Sequence, residues 1–398
     1  MRVVHLADLH LGFRQYYRVT PAGINQREAD VAGAFRRAVD QVIALRPDVV
    51  LIAGDVFHTV RPMNPAIIHA FTQFARLSRA LPDAVIVMVA GNHDQPRSTE
   101  TGCILRLFAP LGIHVVVDEP RRLSFAEREL SILAVPDLPA RPALAPEDGV
   151  RHNVLLLHGE VEGMLGAGLQ RADRANLEIS KQELAAARWS YVALGHYHVH
   201  REIAPNAFYA GSLDYTSTNP WGELAEERDL GLPGKGFVEF DLQTRERRFH
   251  HVEPGRRLLD LPELSARGMT TSDLDAAIRD GVESAEGGID EKIVRLLVRD
   301  APRHITRDLD HKALREYKRR ALHFHLDARR PEITRTSMGG AAGRRPSLPD
   351  IVRGYLSGRL LDADIDREAL IQLGVRYLQE ADAAEAAATT GGSPAGAN

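Results

Sequence analysis

Cysteine is nearly absent: the 398-residue chain holds only Cys103. One thiol excludes a disulfide framework and a structural zinc site built on paired thiolates. Cys103 lies in the helix-like stretch 103–108 and reads as a buried small hydrophobe; the lack of disulfides fits a reducing cytoplasm. No apolar run approaches the length of a membrane span. The sequence opens directly on a strand-like segment, leaving no room for a signal peptide. A basic excess is also missing. The formal net charge is −4, unusual for a chain that must hold nucleic acid unaided. What remains is a chain that is 44% hydrophobic, enough for a real core, and long enough for two or three compact units.

The informative content is an ordered set of polar clusters. They read Asp8-Leu9-His10, Gly54-Asp55-Val56-Phe57-His58, Gly91-Asn92-His93-Asp94, Leu157-His158-Gly159 and Gly195-His196-Tyr197-His198, with Gly211-Ser212 after them. Each of the first five follows a short, β-branched apolar run: residues 3–7, 48–54, 85–91, 154–157 and 191–195. Such runs are the signature of strands buried on both faces. In open α/β sheets, ligands bind beyond the carboxyl ends of the strands, so these segments are expected to deliver side chains to one edge of one sheet. Asp8/His10 and His196/His198 are spaced i, i+2, and in an extended chain both members of each pair point the same way. The glycines before Asp55, Asn92 and His196 allow tight turns or close backbone approach. His5, His69, His114, His152, His250 and His251 lack this context and read as ordinary surface or core histidines.

The donors are carboxylate, imidazole and amide oxygen. That set suits manganese, iron, zinc or magnesium. Two metals about 3.5–4 Å apart need a shared anionic ligand, for which Asp55 is the natural choice. A pair of ions at that spacing serves in-line displacement at phosphorus.

These residues resemble the calcineurin-like metallophosphoesterases. The segments 5–12, 53–58 and 91–94, with the later segments 210–217 and 235–238, are closer still to the SbcD/Mre-eleven-type DNA double-strand break repair nucleases. The resemblance is strong over residues 1–240 and visible to about 380. It implies an α/β fold, a four-layer α/β/β/α sandwich. It also implies that Asp8, His10, Asp55 and His198 hold one metal, while Asp55, Asn92, His158 and His196 hold the second. His93 would protonate the leaving oxygen or stabilise the phosphate, Asp94 would orient His93, and His58 would position the scissile phosphate. Manganese is the metal the family favours. The implied activity is two-metal hydrolysis of DNA, as a 3′→5′ exonuclease on duplex ends and an endonuclease on single strands or hairpins. It would be gated by an SbcC-type SMC-like ATPase, in the cytoplasm at the nucleoid, with a homodimer expected. The rivals are a small-molecule or nucleotide phosphodiesterase of the same fold and a non-catalytic scaffold for the ATPase.

The chain divides by pattern into an α/β domain at 1–254, a small α+β unit at 255–333, a flexible linker at 334–346, a helical pair at 347–382 and a disordered tail at 383–398; the resemblance implies that the first is the nuclease domain and the second a cap. Val31, Phe35, Ala38, Val39, Val42 and Ile43 predict a helix ending before Pro47. Asn64 is the expected N-cap of a second helix that presents Ile67, Ile68, Phe71, Phe74 and Leu77 on one face. Ser180–Glu183 reads as a capping box, and Ser272 as a cap in the second unit. Leu322, Phe324 and Leu326 alternate with His323, His325 and Asp327 as a strand with the histidines facing solvent. Residues 306–345 hold 11 Lys/Arg against 5 Asp/Glu, which reads either as a solvated face or as DNA contact. Ser347 should cap the first terminal helix, which carries Ile351, Val352, Tyr355 and Leu356; the second carries Leu370, Ile371, Val375 and Leu378. Beyond a flexible linker their apolar faces suit either a partner groove or packing back on the cap; the resemblance implies a groove on the ATPase.

Overall fold

The computed structural model describes residues 1–96, 102–139, 142–163, 174–331, 348–357 and 366–390. Residues 1–331 form one compact unit and 332–398 a second. The first unit begins with β1 (Arg2–Leu6), α1 (Gln26–Leu45), β2 (Val49–Ala53), α2 (Asn64–Ala80), β3 (Val85–Val89) and β4 (His114–Val116). It continues with β5 (Arg121–Phe125), β6 (Leu130–Val135), β7 (His152–His158), β8 (Glu160–Val161), β9 (Glu178–Ile179), α3 (Lys181–Leu184), β10 (Tyr191–Gly195), β11 (Arg201–Ala204) and β12 (Ala207–Tyr209). Helix α4 (Pro220–Asp229) and strands β13 (Gly236–Asp241) and β14 (Arg247–His251) close this part.

The strands make two six-stranded sheets, ordered β14-β13-β1-β2-β3-β4 and β11-β12-β10-β7-β6-β5. In the first, β1 to β4 are parallel and β13–β14 add an antiparallel edge. The five polar clusters therefore end strands of two sheets. Strands β1, β2 and β3 belong to one, β7 and β10 to the other, where a single sheet edge was expected from their shared apolar run.

The side-chain period of two sorts each strand between layers. Val3, Val49, Leu51, Val85 and Val87 face Ile132, Val154, Leu156, Tyr191 and Ala193 in a core between the sheets. Val4, Leu6, Val50, Ile52 and Met88 face α1 and α2 on the outside. Leu133, Leu155, Leu157, Val192 and Leu194 meet Leu177, Ile179, Leu184 and Trp189 on the other outer side. Each fully buried aliphatic side chain contributes about 1.5–3 kcal/mol. This is the four-layer α/β/β/α sandwich, with a thin fourth layer among the described residues: the four-residue α3 and the β8–β9 ribbon.

Helix α1 is capped by Asn25, whose side chain accepts from the N–H groups of Arg27 and Glu28. Its partner departs from expectation. Met63, without a side-chain cap bond, occupies the N-cap of α2, and Asn64 is already helical. The buried face of α2 runs through Ala66, Ala70, Phe74 and Leu77, leaving Ile68 66% and Phe71 38% exposed. Ser180 and Glu183 do form the capping box.

Beyond residue 255 come β15 (Leu258–Ser265), α5 (Thr271–Glu283), β16 (Ile293–Arg299), α6 (Arg303–Arg307), α7 (His311–Arg320) and β17 (His323–Ala328). The three strands are parallel, ordered β15-β16-β17, over a separate core of Leu261, Leu274, Ile278, Leu296, Ile305 and Phe324. Thr270, rather than Ser272, caps α5, in a capping box with Asp273. His325 is exposed, but the His323 ring is half-buried, stacked 4.0 Å from the Tyr16 ring. The basic helix α7 starts at Asp310 as its charge pattern suggests, and ion pairs engage part of it: Arg319 with Glu316 and Arg320 with Asp290.

The second unit holds α8 (Leu348–Ser357) and α9 (Arg367–Thr390). Ile371 and Val375 are buried, and Gly374 brings α9 close to Val352 and Leu356 of α8. The helices thus cover part of each other's apolar face. Ile351, Tyr355, Leu373 and Tyr377 stay exposed. Helix α9 reaches Thr390, so residues 383–390 are helical where a disordered tail was expected. The linker at 334–346, Ser347 and residues 391–398 lie outside the described residues. No described helix is long and apolar enough to cross a membrane.

Candidate metal centre

The two sheets meet at the carboxyl ends of β1, β2, β3, β7 and β10, and the polar clusters converge there. Asp8, His10 and His198 offer donor atoms within 4.8 Å of one another, and so do Asp55, His158 and His196. Asp55 lies between the groups: its Oδ2 is 3.8 Å from His10 Nε2 and 3.7 Å from His158 Nε2. Asn92 joins the second group, with Oδ1 2.9 Å from His158 Nε2 and 3.2 Å from His196 Nδ1. His10 Nε2 and His198 Nε2 are 2.9 Å apart. His10, His58 and His93 form a third cluster at the mouth of the first.

The chain is not extended where these residues sit. Asp8 has φ 52°, His10 45°, Asp55 50° and His196 108°. These left-handed turns, not an i, i+2 pleat, aim Asp8 and His10. Backbone pairing holds them: Asp8 N–H donates to Gly54 O at 3.1 Å and His10 N–H to Asp55 O at 2.9 Å. The Asp8 carboxylate accepts the His196 N–H, tying the first sheet to the second. A Cβ on Gly91 would overlap the Asp55 carboxylate, and one on Gly195 the Ala53 carbonyl oxygen, so only glycine permits this approach.

Orientation comes from neighbours. His158 Nδ1 donates to Ala53 O at 2.8 Å, which fixes the tautomer and leaves Nε2 for the site. His93 Nδ1 meets His58 O at 2.8 Å. Asp94, expected to orient the His93 ring, instead accepts the N–H groups of Val56, Phe57 and Gly91; it braces the loop that carries Asp55.

Charge in the site is unbalanced. Burial and then the neighbouring Asp55 push the Asp8 carboxyl well above the usual range. The same two causes raise Asp94 to about 7. Burial would also raise Asp55, but His158 and His93 outweigh it and hold it low. Burial and then the rings of His198, His93 and His58 push His10 far down. Buried carboxyl groups beside imidazoles, all aimed inward, form a cradle for cations.

The calcineurin-like phosphoesterase profile matches residues 1–200. The chain belongs to the calcineurin-like phosphoesterase family. Phosphoesterases of this family use divalent metal ions, and the hard oxygen and imidazole donors gathered here fit them. The chain is also similar to proteins described as DNA double-strand break repair protein Mre11. The one from Methanococcus maripaludis is 36% identical over 265 residues, 61% of this chain and 63% of that protein. That from Methanocaldococcus jannaschii is 24% identical over 266 residues, 64% and 66% of the two chains. That from Thermoplasma acidophilum is 26% identical over 257 residues, 60% and 64%. The chain thus spans just under two thirds of the length of these relatives.

Two buried groups around this phosphoesterase centre escaped the sequence reading. Glu160 Oε1 lies 3.2 Å from His196 Nε2, and Glu223 Oε1 lies 3.3 Å from His198 Nδ1. Glu160 was legible, two residues past His158. Glu223 was not, since no local pattern links it to a site 25 residues upstream.

Proposed function

We propose that this chain is the metal-dependent DNA nuclease of a repair complex, with manganese as the favoured ion. The observation that carries the reading is the pair of donor groups meeting on Asp55. Asp8, His10, Asp55 and His198 would hold one ion; Asp55, Asn92, His158 and His196 would hold the other. Two such ions lower the pKa of a bound water and stabilise the attacking and leaving oxygens of an in-line displacement. His93, with Nδ1 engaged by the His58 carbonyl, keeps Nε2 for the leaving oxygen. His58, edge-on to His10 at 5.4 Å between ring centroids, offers its ring to the scissile phosphate. The three-stranded unit at residues 258–328 would act as the cap that narrows access. The helical pair, with Ile351, Tyr355, Leu373 and Tyr377 exposed, would dock on an SbcC-type SMC-like ATPase. Exposed Ile68 and Phe71 on α2 offer apolar surface to a homodimer. The action would fall on duplex ends 3′→5′ and on single-stranded or hairpin DNA, in the cytoplasm at the nucleoid.

The test is digestion of end-labelled linear duplex DNA with Mn²⁺, Mg²⁺ or EDTA, alongside Asp55→Ala and His93→Gln. Manganese-dependent shortening that both variants lose supports the nuclease. If duplex DNA stays intact with the ATPase added while the same residues cleave a small phosphodiester, a nucleotide phosphodiesterase is the better reading. Processing unchanged by His93→Gln would point to a scaffold.

A further inference from the structure

Helix α4 lies outside every motif discussed so far, yet three of its acids grip the segment that carries His196 and His198. Glu226 accepts the Tyr197 hydroxyl at 2.5 Å and pairs with Arg201. Glu223 Oε1 and His198 Nδ1 lie 3.3 Å apart as an ion-pair contact, both buried, and neither atom has a hydrogen bond elsewhere that would compete for it. Glu227 and Glu223 both engage Lys235, the former at 3.0 Å. Lys235 is 2% exposed and also donates to His198 O at 2.9 Å. Its ammonium sits 4.5 Å from the centre of the Tyr215 ring, whose hydroxyl donates to Glu227. Ring and backbone of His198 are therefore held by one ion-paired assembly. A buried carboxylate next to a buried ammonium stays charged and fixed in place.

The same helix meets the three-stranded unit. Arg295 of β16, paired with Asp260 of β15, lies 4.9 Å from the centre of the Trp221 ring. Trp221 precedes Glu223 by two residues.

We infer that α4 is a positioning element: Glu223, neutralised by Lys235, orients the His198 ring for its metal, and the Arg295–Trp221 contact makes that orientation sensitive to the three-stranded unit. This rests on the two-metal reading above. A carboxylate that accepts from Nδ1–H sets the tautomer that leaves Nε2 facing the site, and such supporting partners are worth about 10–100-fold in metal affinity.

The experiment uses the full chain and two readouts that need no substrate. Mn²⁺ titration followed by electron paramagnetic resonance counts the sites, and ¹⁵N spectra of the metal-free protein report the His198 tautomer. Wild type should bind two ions and show His198 protonated at Nδ1. Glu223→Ala should weaken one site about 10–100-fold and leave the other nearly unchanged. Glu223→Gln, which keeps an oxygen acceptor, should recover most of the affinity and the tautomer; loss through a mere packing defect would not be rescued this way. Arg295→Ala should shift the His198 resonances with both sites retained. Two sites of wild-type affinity in Glu223→Ala, or His198 protonated at Nε2 in wild type, would overturn the inference and leave the two-metal reading standing. Wild type that binds no Mn²⁺ would remove that reading and the inference with it. Unmoved His198 resonances in Arg295→Ala would overturn the coupling to the three-stranded unit.

Discussion

Metal-free protein should lose stability as the pH rises from about 6.5 to 8, and Asp8→Asn should reduce that loss. The reasoning starts at two buried carboxyls. Burial and the charge of Asp55 raise Asp8 well above its ordinary value and raise Asp94 to about 7. In the unfolded chain both are ionised above about pH 5. The folded state therefore binds more protons than the unfolded one, and stability falls with rising pH until the folded pKa values are passed. His10 and His158 act in the opposite direction. Burial lowers both below their unfolded values, which costs stability only when the pH drops below about 6.5. The interval above 6.5 isolates the carboxyls. One excess proton gives a slope of about 1.4 kcal/mol per pH unit, and half a proton about 0.7. At roughly 2–4 °C per kcal/mol the melting temperature should fall by about 1.5–5.5 °C per pH unit. Asparagine at position 8 keeps an oxygen to accept the His196 N–H and cannot ionise.

The assay is thermal unfolding in EDTA across that range, for wild type and Asp8→Asn. Saturating Mn²⁺ should flatten the wild-type curve, because bound metal keeps the carboxylates ionised. Calorimetry in buffers of different ionisation enthalpy should show more protons released on metal binding at pH 6.5 than at pH 8. The same EDTA slope in wild type and Asp8→Asn would refute the argument.

Metal should stabilise the fold by about 2.7 kcal/mol per site at a hundred times the dissociation constant, and Asp55→Ala should lose the thermal shift of both sites, read by scanning fluorimetry. Gly195→Ala should destabilise strongly and weaken Mn²⁺ binding in an isothermal titration, since its Cβ would overlap the Ala53 carbonyl oxygen. Arg27 is fully buried, pairs with Asp214 at 2.8 Å and Asp30 at 3.3 Å, and donates to Tyr215 O; Arg27→Met should cost about 3–5 kcal/mol in urea unfolding, because it strands buried carboxylates. Burial pushes the Cys103 thiol up to about 12, so a disulfide reagent should react with it only in denaturant.

What the sequence made legible follows from range. Buried parallel strands write their character locally, as in Val49–Ala53 and Val85–Val89, and each polar cluster sits directly after such a run. The alternation of Leu322, Phe324 and Leu326 likewise marked β17. Illegible features depend on partners far along the chain. Two sheets rather than one follow from pairing between β1 and β13 and between β7 and β10, which apolar runs do not encode. The buried face of α2 was misread because Ile68 and Phe71 fit the helical stripe as well as Ala66 and Ala70 do; small residues let the helix approach the sheet closely, so the larger side chains point outward. His323 looked solvent-facing because Tyr16, which covers it, comes from a distant loop.

The placement of strain explains why the site sits where the sheets meet. Asp8, His10, Asp55 and His196 all adopt left-handed backbone, a conformation that costs non-glycine residues about 1–3 kcal/mol each and persists only when surroundings over-determine it. Here the surroundings do so from both sheets. The Asp8 and His10 N–H groups bind the β2 loop, the Asp8 carboxylate binds the backbone of His196 from the second sheet, and Asp94 pins the loop after Asp55 with three acceptor bonds. These constraints act on backbone rather than on rings. The backbone therefore aims the ligand-bearing side chains inward, and the packed β strands behind them carry the cost. If the strain is distributed in this way, deleting Asp94 should matter more than its distance from the donors suggests. Asp94→Ala would leave three buried N–H groups unpaired at about 1–3 kcal/mol each. It should therefore lower the metal-free melting temperature and weaken Mn²⁺ binding together, read by thermal unfolding in EDTA and by Mn²⁺ titration.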